Sequence, residues 1–517
     1  MSIATGVERT RTRERGHQGH PRRWAGLGVL CASLLIVVMD NTILNVALPR
    51  ISTEVSTSST QLLWMVDIYG LVVAGLLVAA SSAADRYGRR RMLVVGYAVF
   101  GVLPLLVLVV SSAGGLIVLR GLLGIGGALI MPSTMSMIRD LFADAKERAI
   151  ALGIWATMAA VGAGLGPIVG GFLVEGFGWR SAFLFNTPVM VVAILVAMWI
   201  LPETRGESIP WDVLSTVLSI LGVGAAMYAI KAWGRDGITD PAAWACTAIS
   251  LVALGWFVRR CLRSRWPLLD LGLLRRRGIT AGLIGAFVSA IAMAATLLLL
   301  AQWMQLVENY SPIETGIRLL PLAVVSGVLS PLAPLVAERI GVRAVMAGGL
   351  FVGGIGFASL YLGSDSMGYG LVAVSQSLVG ISVATLAVGS AVILAQAPKA
   401  RSGNAAAMEE TSFQVGSAIG VAALGSIAAV MYRAGLSAHE LTAQGIAADQ
   451  QEQMRESLGG AIRVAERLSD PDGVIASAHA AFIHGLGMAG LVGGLIMIGT
   501  AIVVWCVIPR GLTVEEA

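Results

Sequence analysis

The sequence predicts an all-α polytopic membrane protein, and three observations predict it. The 517 residues are 56% hydrophobic and only 13% charged, with a mean hydropathy of +0.80. A soluble globular domain carries about 25% charged residues. Apolar runs of about 20 residues recur along the whole chain, each long enough to cross a hydrocarbon core about 30 Å thick as a helix. Arginines collect in alternate connecting segments, which is the pattern that orients membrane helices. The 63 glycines fit the same class, because small residues let membrane helices pack closely.

The runs fall near 24–47, 61–82, 92–110, 114–138, 149–173, 181–201, 212–232, 242–262, 279–303, 315–337, 343–363, 367–395, 404–432 and 480–508. They predict about fourteen spans by the hydrocarbon-thickness rule. With the N-terminus inside, the inside segments hold Arg22 and Arg23, Arg86 and Arg89–Arg91, Arg139, and the run from Arg259 to Arg277. Arg339, Arg343, Lys399 and Arg401 also fall inside. The opposite loops hold few basic residues, among them Arg50, Arg180, Lys231 and Arg235. Both termini then lie in the cytoplasm. The long outer loop 433–479 reads as two short amphipathic helices joined by a turn at Gly459-Gly460. It serves either as a solvated cap or as a lid over the outer mouth.

Several function classes are excluded at this level. Cys31, Cys246, Cys261 and Cys506 lie in or beside apolar runs, without a CxxC or Cys/His pair. Neither a disulfide framework nor a metal site is expected. The net charge of +5 comes mainly from the inside loops, so nucleic-acid binding is a poor reading of it. No GxxxxGK[ST] loop is present, which argues against an ATP-driven pump. The Arg-rich segment 1–23 reads as a cytoplasmic tail and not as a removable signal.

Four stretches carry chemistry. "MDNTILNVALP" (39–49) places Asp40 in an apolar run, beside Asn41, Thr42 and Asn45. "SSAADRYGRRR" (81–91) sets Asp85, Arg86, Gly88, Arg89, Arg90 and Arg91 at a membrane edge. An acid beside such a basic cluster can hold one conformation shut and release it in another. "LIVLRGLLGIGGA" buries Arg120, and a charge at the middle of a membrane costs at least about 2.5 kcal/mol. "GAGLGPIVGG" spaces Gly162, Gly166 and Gly170 four apart beside Pro167 and Gly171. That makes a flat helix face, with a bend expected at the proline, suited to two half-domains that rock against each other.

These stretches resemble the signature motifs of major facilitator superfamily transporters, the last being the antiporter motif of exporters. The opening motif is similar to that of the fourteen-helix drug/proton antiporter branch. "QLLWMVDIYGLVVAGLLV" (61–78) and "AAAMEETSFQVGSAIG" (405–420) resemble the subgroup that exports quaternary ammonium compounds and dyes. The resemblance covers about 24–510. It departs at Ser81, at Leu123, in the reduced second loop "VAERIGVR" (336–343), and in a tenth run without an acid. The implied organisation is a tail 1–23, a six-helix bundle 24–201, two inserted helices 212–262, a basic cytoplasmic linker 263–278, and a second six-helix bundle 279–510. The implied setting is the cytoplasmic membrane of a bacterium, crossed many times.

Asp40, Asp67, Glu409, Glu410 and Arg120 are the candidate proton-coupling and substrate residues. Desolvation favours the protonated form of a buried carboxyl, so such a group can take up a proton on one side and exchange it for a cation on the other. Adjacent residues on a helix point about 100° apart, so one of Glu409 and Glu410 is expected to face the cavity. Trp64, Tyr69, Met158, Trp303 and Phe413 are candidate cavity walls, with Met65, Trp155 and Met304, because cations bind aromatic faces and methionine adapts to varied shapes. The expected function is proton-driven efflux of amphiphilic, cationic drugs or a self-made antibiotic, by a protein that is not an enzyme. It needs no cofactor beyond the proton gradient, and its partners are the small substrate, protons and the bilayer. It is expected to work as a monomer. The alternatives are an exporter of an uncharged or anionic secondary metabolite, an importer, and a non-transporting sensor or scaffold.

Overall fold

The structure is a computed structural model. It describes residues 21–510 and 512, apart from 56, 58, 143, 206–211, 237–238, 265–266, 364–366, 398–401, 437–445 and 467–470. No strand occurs among the described residues. The first group of helices comprises α1 (Arg23–Glu54), α2 (Ser59–Tyr87), α3 (Arg89–Val102), α4 (Ala113–Leu141), α5 (Ala145–Phe177) and α6 (Asn186–Ile200). Two further helices follow, α7 (Val213–Asp236) and α8 (Pro241–Arg263). The second group comprises α9 (Arg277–Leu306), α10 (Pro312–Leu329), α11 (Val342–Ala358), α12 (Tyr369–Gln396) and α13 (Ser402–Gly435). Two short helices, α14 (Ala448–Glu456) and α15 (Leu458–Ala465), precede the last long one, α16 (Asp472–Val507).

Local chemistry explains the boundaries. Ser112, Asp144 and Asp240 accept backbone N–H groups that the first turns of α4, α5 and α8 leave unpaired, which is the standard capping role of these residues. Ser311 and Glu314 close a reciprocal capping box at α10. Gly88 joins α2 to α3 at φ +116°, and Gly341 leads into α11 at φ +90°. Both positions disfavour a residue with a Cβ. The reduced second loop therefore keeps the turn of the first while losing its three consecutive arginines.

Among the described residues, twelve helices are long and apolar enough to cross a membrane. A thirteenth is α2, if Gln61–Leu77 and Ala79–Tyr87, which meet at 52°, count as one span. The expected run 149–173 falls on α5, whose apolar stretch Val161–Phe177 is too short to count among these spans. Each group has its own apolar core, and Leu298 and Val421 of the second group reach into the core of the first. The inserted α7 packs against α8, α2 and α13. It therefore lies along a seam where the two groups meet.

The outer loop departs from expectation in one detail. The break between its helices is at Ser457, in extended conformation, and Gly459 and Gly460 lie inside α15. The pair is not a solvated ornament. Met454, Leu458, Ala461 and Val464 are buried in the second core. The Tyr432 hydroxyl donates to the Met454 carbonyl at 2.9 Å. Arg463 donates to the Ser52 carbonyl of α1 at 3.2 Å, so the cap ties the second group to the first.

Candidate functional site

Asp40 stands near mid-length of α1. It is 4% exposed, and Arg120 of α4 is 1% exposed. The Arg120 guanidinium donates to Asp40 Oδ2 at 2.6 Å, to Asn41 Oδ1 at 3.2 Å and to the Met65 carbonyl at 3.4 Å. Asn186 of α6 donates to Asp40 Oδ1 at 2.5 Å. Both carboxylate oxygens therefore have donors, as a buried charge needs. The guanidinium also lies over the Tyr69 ring of α2, 4.7 Å from its centroid.

The glycines after Arg120 make this arrangement possible. A Cβ at Gly124 would lie 2.9 Å from the Tyr69 carbonyl, and one at Gly127 would run into the Tyr69 hydroxyl. A Cβ at Gly126 would lie 3.0 Å from Phe100 of α3. Gly124 and Gly127 thus admit α2, and Gly126 admits α3, in keeping with close packing on small residues.

Glu409 and Glu410 stand in α13 and point to different partners. Ser390 of α12 hydrogen-bonds to Glu409. Gln414 donates to Glu410 at 2.8 Å. Gln414 also borders Gly70 of α2, its Oε1 lying 3.5 Å from a Cβ built there. The Arg120–Tyr69 stack of the first group and the Glu410–Gln414 pair of the second thus meet α2 at the neighbouring positions Tyr69 and Gly70, while Glu409 turns back into its own group.

Asp67 is not a free cavity acid. Its carboxylate meets Lys231 Nζ at 2.7 Å, with side chains 0% and 1% exposed. The ammonium lies 4.1 Å from the centroid of Trp64. Lys231 was assigned to an outer loop by its position at the edge of an apolar run. It lies inside α7 because that helix continues to Asp236. Trp64 is correspondingly engaged by the chain's own cation.

Other candidate walls divide. Trp303 and Met304 are 0% exposed in the second core, so they are packing residues and not cavity walls. Met65 is buried at 1% exposure. Met158, Trp155 and Phe413 are half-buried, and the Trp155 indole donates to Thr134 Oγ1 at 3.3 Å.

The basic motif is an internal clamp in this conformation. Arg89 pairs with Asp85 at 2.8 Å and with Asp140 of α4 at 2.6 Å. Arg90 donates to the Leu201 carbonyl at 3.0 Å, and Arg90 and Arg91 each lie 3.7 Å from Glu203. Arg86 is exposed over Tyr87. These contacts join α2, α3, α4 and the end of α6, all in the first group. Asp140, Glu203, Asn186, Lys231, Ser390 and Gln414 were not singled out from the sequence.

The α5 glycines also sort in an unexpected way. A Cβ at Gly162 would lie 2.8 Å from the Leu35 carbonyl, one at Gly166 would strike Thr42 Oγ1, and one at Gly170 would lie 3.1 Å from Ile43 Cα. This stripe packs on α1 of its own group. The contact between groups belongs to Gly171, where a Cβ would lie 2.6 Å from the Pro312 carbonyl. Gly164 meets Ala323 in the same way at 2.7 Å, and Gly316 packs directly on the Pro167 carbonyl. Pro167 does not interrupt α5, which runs through it.

Further contacts between the groups lie toward the end that carries the cap. Gln305 donates to the Val46 carbonyl at 3.3 Å, and Gly425 packs on Leu63. The arrangement is a polytopic helical protein of two packed groups, with buried charges where they meet, which is the architecture of a membrane transporter.

Residues 30–326 match the Major Facilitator Superfamily, and the chain belongs to that family. It is 36% identical over 487 residues to the multidrug efflux pump LfrA of Mycolicibacterium smegmatis, covering 93% of this chain and 96% of that protein. It is 31% identical over 501 residues to the methyl viologen resistance protein SmvA of Salmonella typhimurium, covering 94% and 98%. It is 29% identical over 424 residues to a tetracenomycin C resistance and export protein of Streptomyces glaucescens, covering 80% and 77%. The fold is similar to that of a bacterial homologue of the human lysosomal transporter Spinster, with a TM-score of 0.65, 17% identity, and 95% and 98% coverage.

Proposed function

We propose that the chain exports amphiphilic, mainly cationic compounds across the bacterial cytoplasmic membrane in exchange for protons, by alternating access. The observation that carries the reading is the placement of Glu409 and Glu410. Their hydrogen-bond partners among the described residues, Ser390 and Gln414, are neutral, whereas Asp40 and Asp67 each hold an internal cation. A membrane carboxylate without a cationic partner is costly unless a proton or a bound cation neutralises it. Two ligands that compete for one charge are what exchange requires. The names of the relatives support efflux, and the Gly171–Pro312 and Gly316–Pro167 contacts support its coupling to motion between the groups.

In this reading the basic end, with Asp85 and Arg89–Arg91, faces the cytoplasm, together with both termini. The cap then lies outside. The monomer is the working unit, because both groups and both carboxylate centres come from one chain. The test is efflux of a fluorescent monovalent cation from proteoliposomes under an imposed pH gradient. Gradient-dependent movement is expected. An exporter of uncharged or anionic compounds would leave the cation unmoved.

A further inference from the structure

We propose that Lys231 is a tethered cation filling a second cation subsite at the seam of α2, α7 and α13, and that it sets a preference for ligands with one positive charge over ligands with two. The inference rests on the cation/proton exchange reading above.

The subsite has the chemistry that recognises an ammonium group. Trp64 and Asp67 lie three residues apart on α2, on one face of the helix. The Lys231 ammonium occupies the space between them, 2.7 Å from the carboxylate and 4.1 Å from the ring centroid. An aromatic face beside a carboxylate is a general receptor for organic cations. Here the receptor is already filled by the chain itself, and the ion pair is almost completely buried.

The same seam has room for an apolar ligand body. A cavity of about 180 Å³ is lined by Leu71 of α2, Ile220 and Val223 of α7, and Thr411 and Val415 of α13. Leu71 is one helical turn, about 6 Å of rise, from Asp67. Thr411 directly follows Glu410 in the chain. The cavity is closed on its far side by Leu254 and Phe257 of α8 and borders the two helices that carry the carboxylates, α2 with Asp67 and α13 with Glu410. A bis-cationic amphiphile could place one head at each. With Lys231 present, its second head meets a site whose charge is already balanced. A neutral residue at position 231 leaves Asp67 to take that head.

The experiment uses the full chain in proteoliposomes under a pH gradient. Tetraphenylphosphonium is the monovalent probe and methyl viologen the divalent one. The readout is the ratio of their efflux rates within each variant. Lys231→Met is expected to raise the divalent-to-monovalent ratio about tenfold, equivalent to about 1.4 kcal/mol. Lys231→Arg, and Lys231→Met combined with Asp67→Asn, are expected to return it to the wild-type value. Asp67→Asn alone leaves an uncompensated ammonium and is expected to lower the ratio. It decides the matter if Lys231→Met does not accumulate in the membrane. An unchanged ratio in the single variants that accumulate overturns the inference. So does a rise that survives in the double variant. Wild-type protein that moves neither probe overturns the exchange reading and the inference with it.

Discussion

A Cβ added to Gly171 would sit 2.6 Å from the carbonyl oxygen of Pro312, so these residues of α5 and α10 meet only because position 171 has no side chain. On the other side of the contact, Gly316 packs against the Pro167 carbonyl. The two groups therefore close against each other through reciprocal glycine-to-carbonyl contacts.

Gly171→Val is expected to reduce efflux at least tenfold while the protein still reaches the membrane, because separation of the groups relieves the clash. Gly166→Val strikes Thr42 within the first group, where no such relief exists. It is expected to lower membrane abundance and thermal stability, by the roughly 1–3 kcal/mol typical of overpacking. At Gly176 nothing lies within 4 Å of an added Cβ, so Gly176→Val is the control. Immunoblotting of membranes beside an efflux assay separates the cases. Wild-type efflux by a well-expressed Gly171→Val variant would refute the role of the contact.

Breaking the Asp40–Arg120 pair strands one buried charge. Removing one partner of such a pair costs about 3–5 kcal/mol, while removing both is much less damaging. Asp40→Asn and Arg120→Met are each expected to lower the melting temperature of the purified protein. The double variant should recover most of it without recovering transport. A double variant no more stable than the worse single one would contradict the pairing.

Coupling is expected to need at least one of Asp40, Glu409 and Glu410 in titratable form. Each is replaced by its amide, singly and together, and pH-gradient-driven efflux of a fluorescent cation is followed. The Glu410→Gln and Glu409→Gln changes should be the most damaging to gradient dependence, since neither acid has a basic hydrogen-bond partner among the described residues. Full activity in every single variant and in the triple variant removes these acids from the mechanism.

Asp140→Asn tests the clamp on Arg89. The pair is partly exposed, and an isolated pair of that kind contributes about 0–1 kcal/mol. A fall of only a few-fold in efflux is expected, because Asp85 still holds Arg89 at 2.8 Å. Combining it with Asp85→Asn should cost more than the two effects added. Simple additivity, measured as a double-mutant cycle on efflux rate, would show that the three side chains do not act as one network.

Hydropathy made the helical membrane class legible, because a span about 20 residues long leaves a strong one-dimensional signal. Asp40 and Arg120 stood out for the same reason, as charges in oil. Their partnership did not, since residues 80 positions apart leave no pattern in a single sequence. Lys231 was missed because it sits at the edge of an apolar run, where a charge ordinarily marks the start of a loop. The α5 stripe was visible as spacing, yet its helical neighbour was not. Spacing says that a face is flat, and only the fold says that Gly162, Gly166 and Gly170 meet α1 while Gly171 meets α10. Trp303 shows the reverse error. Aromatic character suited a cavity wall, but burial placed it in the core.

The closed cap end also bears on how the protein can be drugged. Arg463 on Ser52, Gln305 on Val46 and Gly171 on Pro312 hold the two groups together at the face that the proposed orientation turns toward the medium. While these contacts hold, a competitive blocker aimed at Glu410 and Tyr69 is expected to enter from the cytoplasmic side. Its potency on intact bacteria will therefore combine affinity with membrane permeation and with its own removal by the pump. Screening on inverted membrane vesicles, where the inner face is presented to the solution, separates the first of these from the other two.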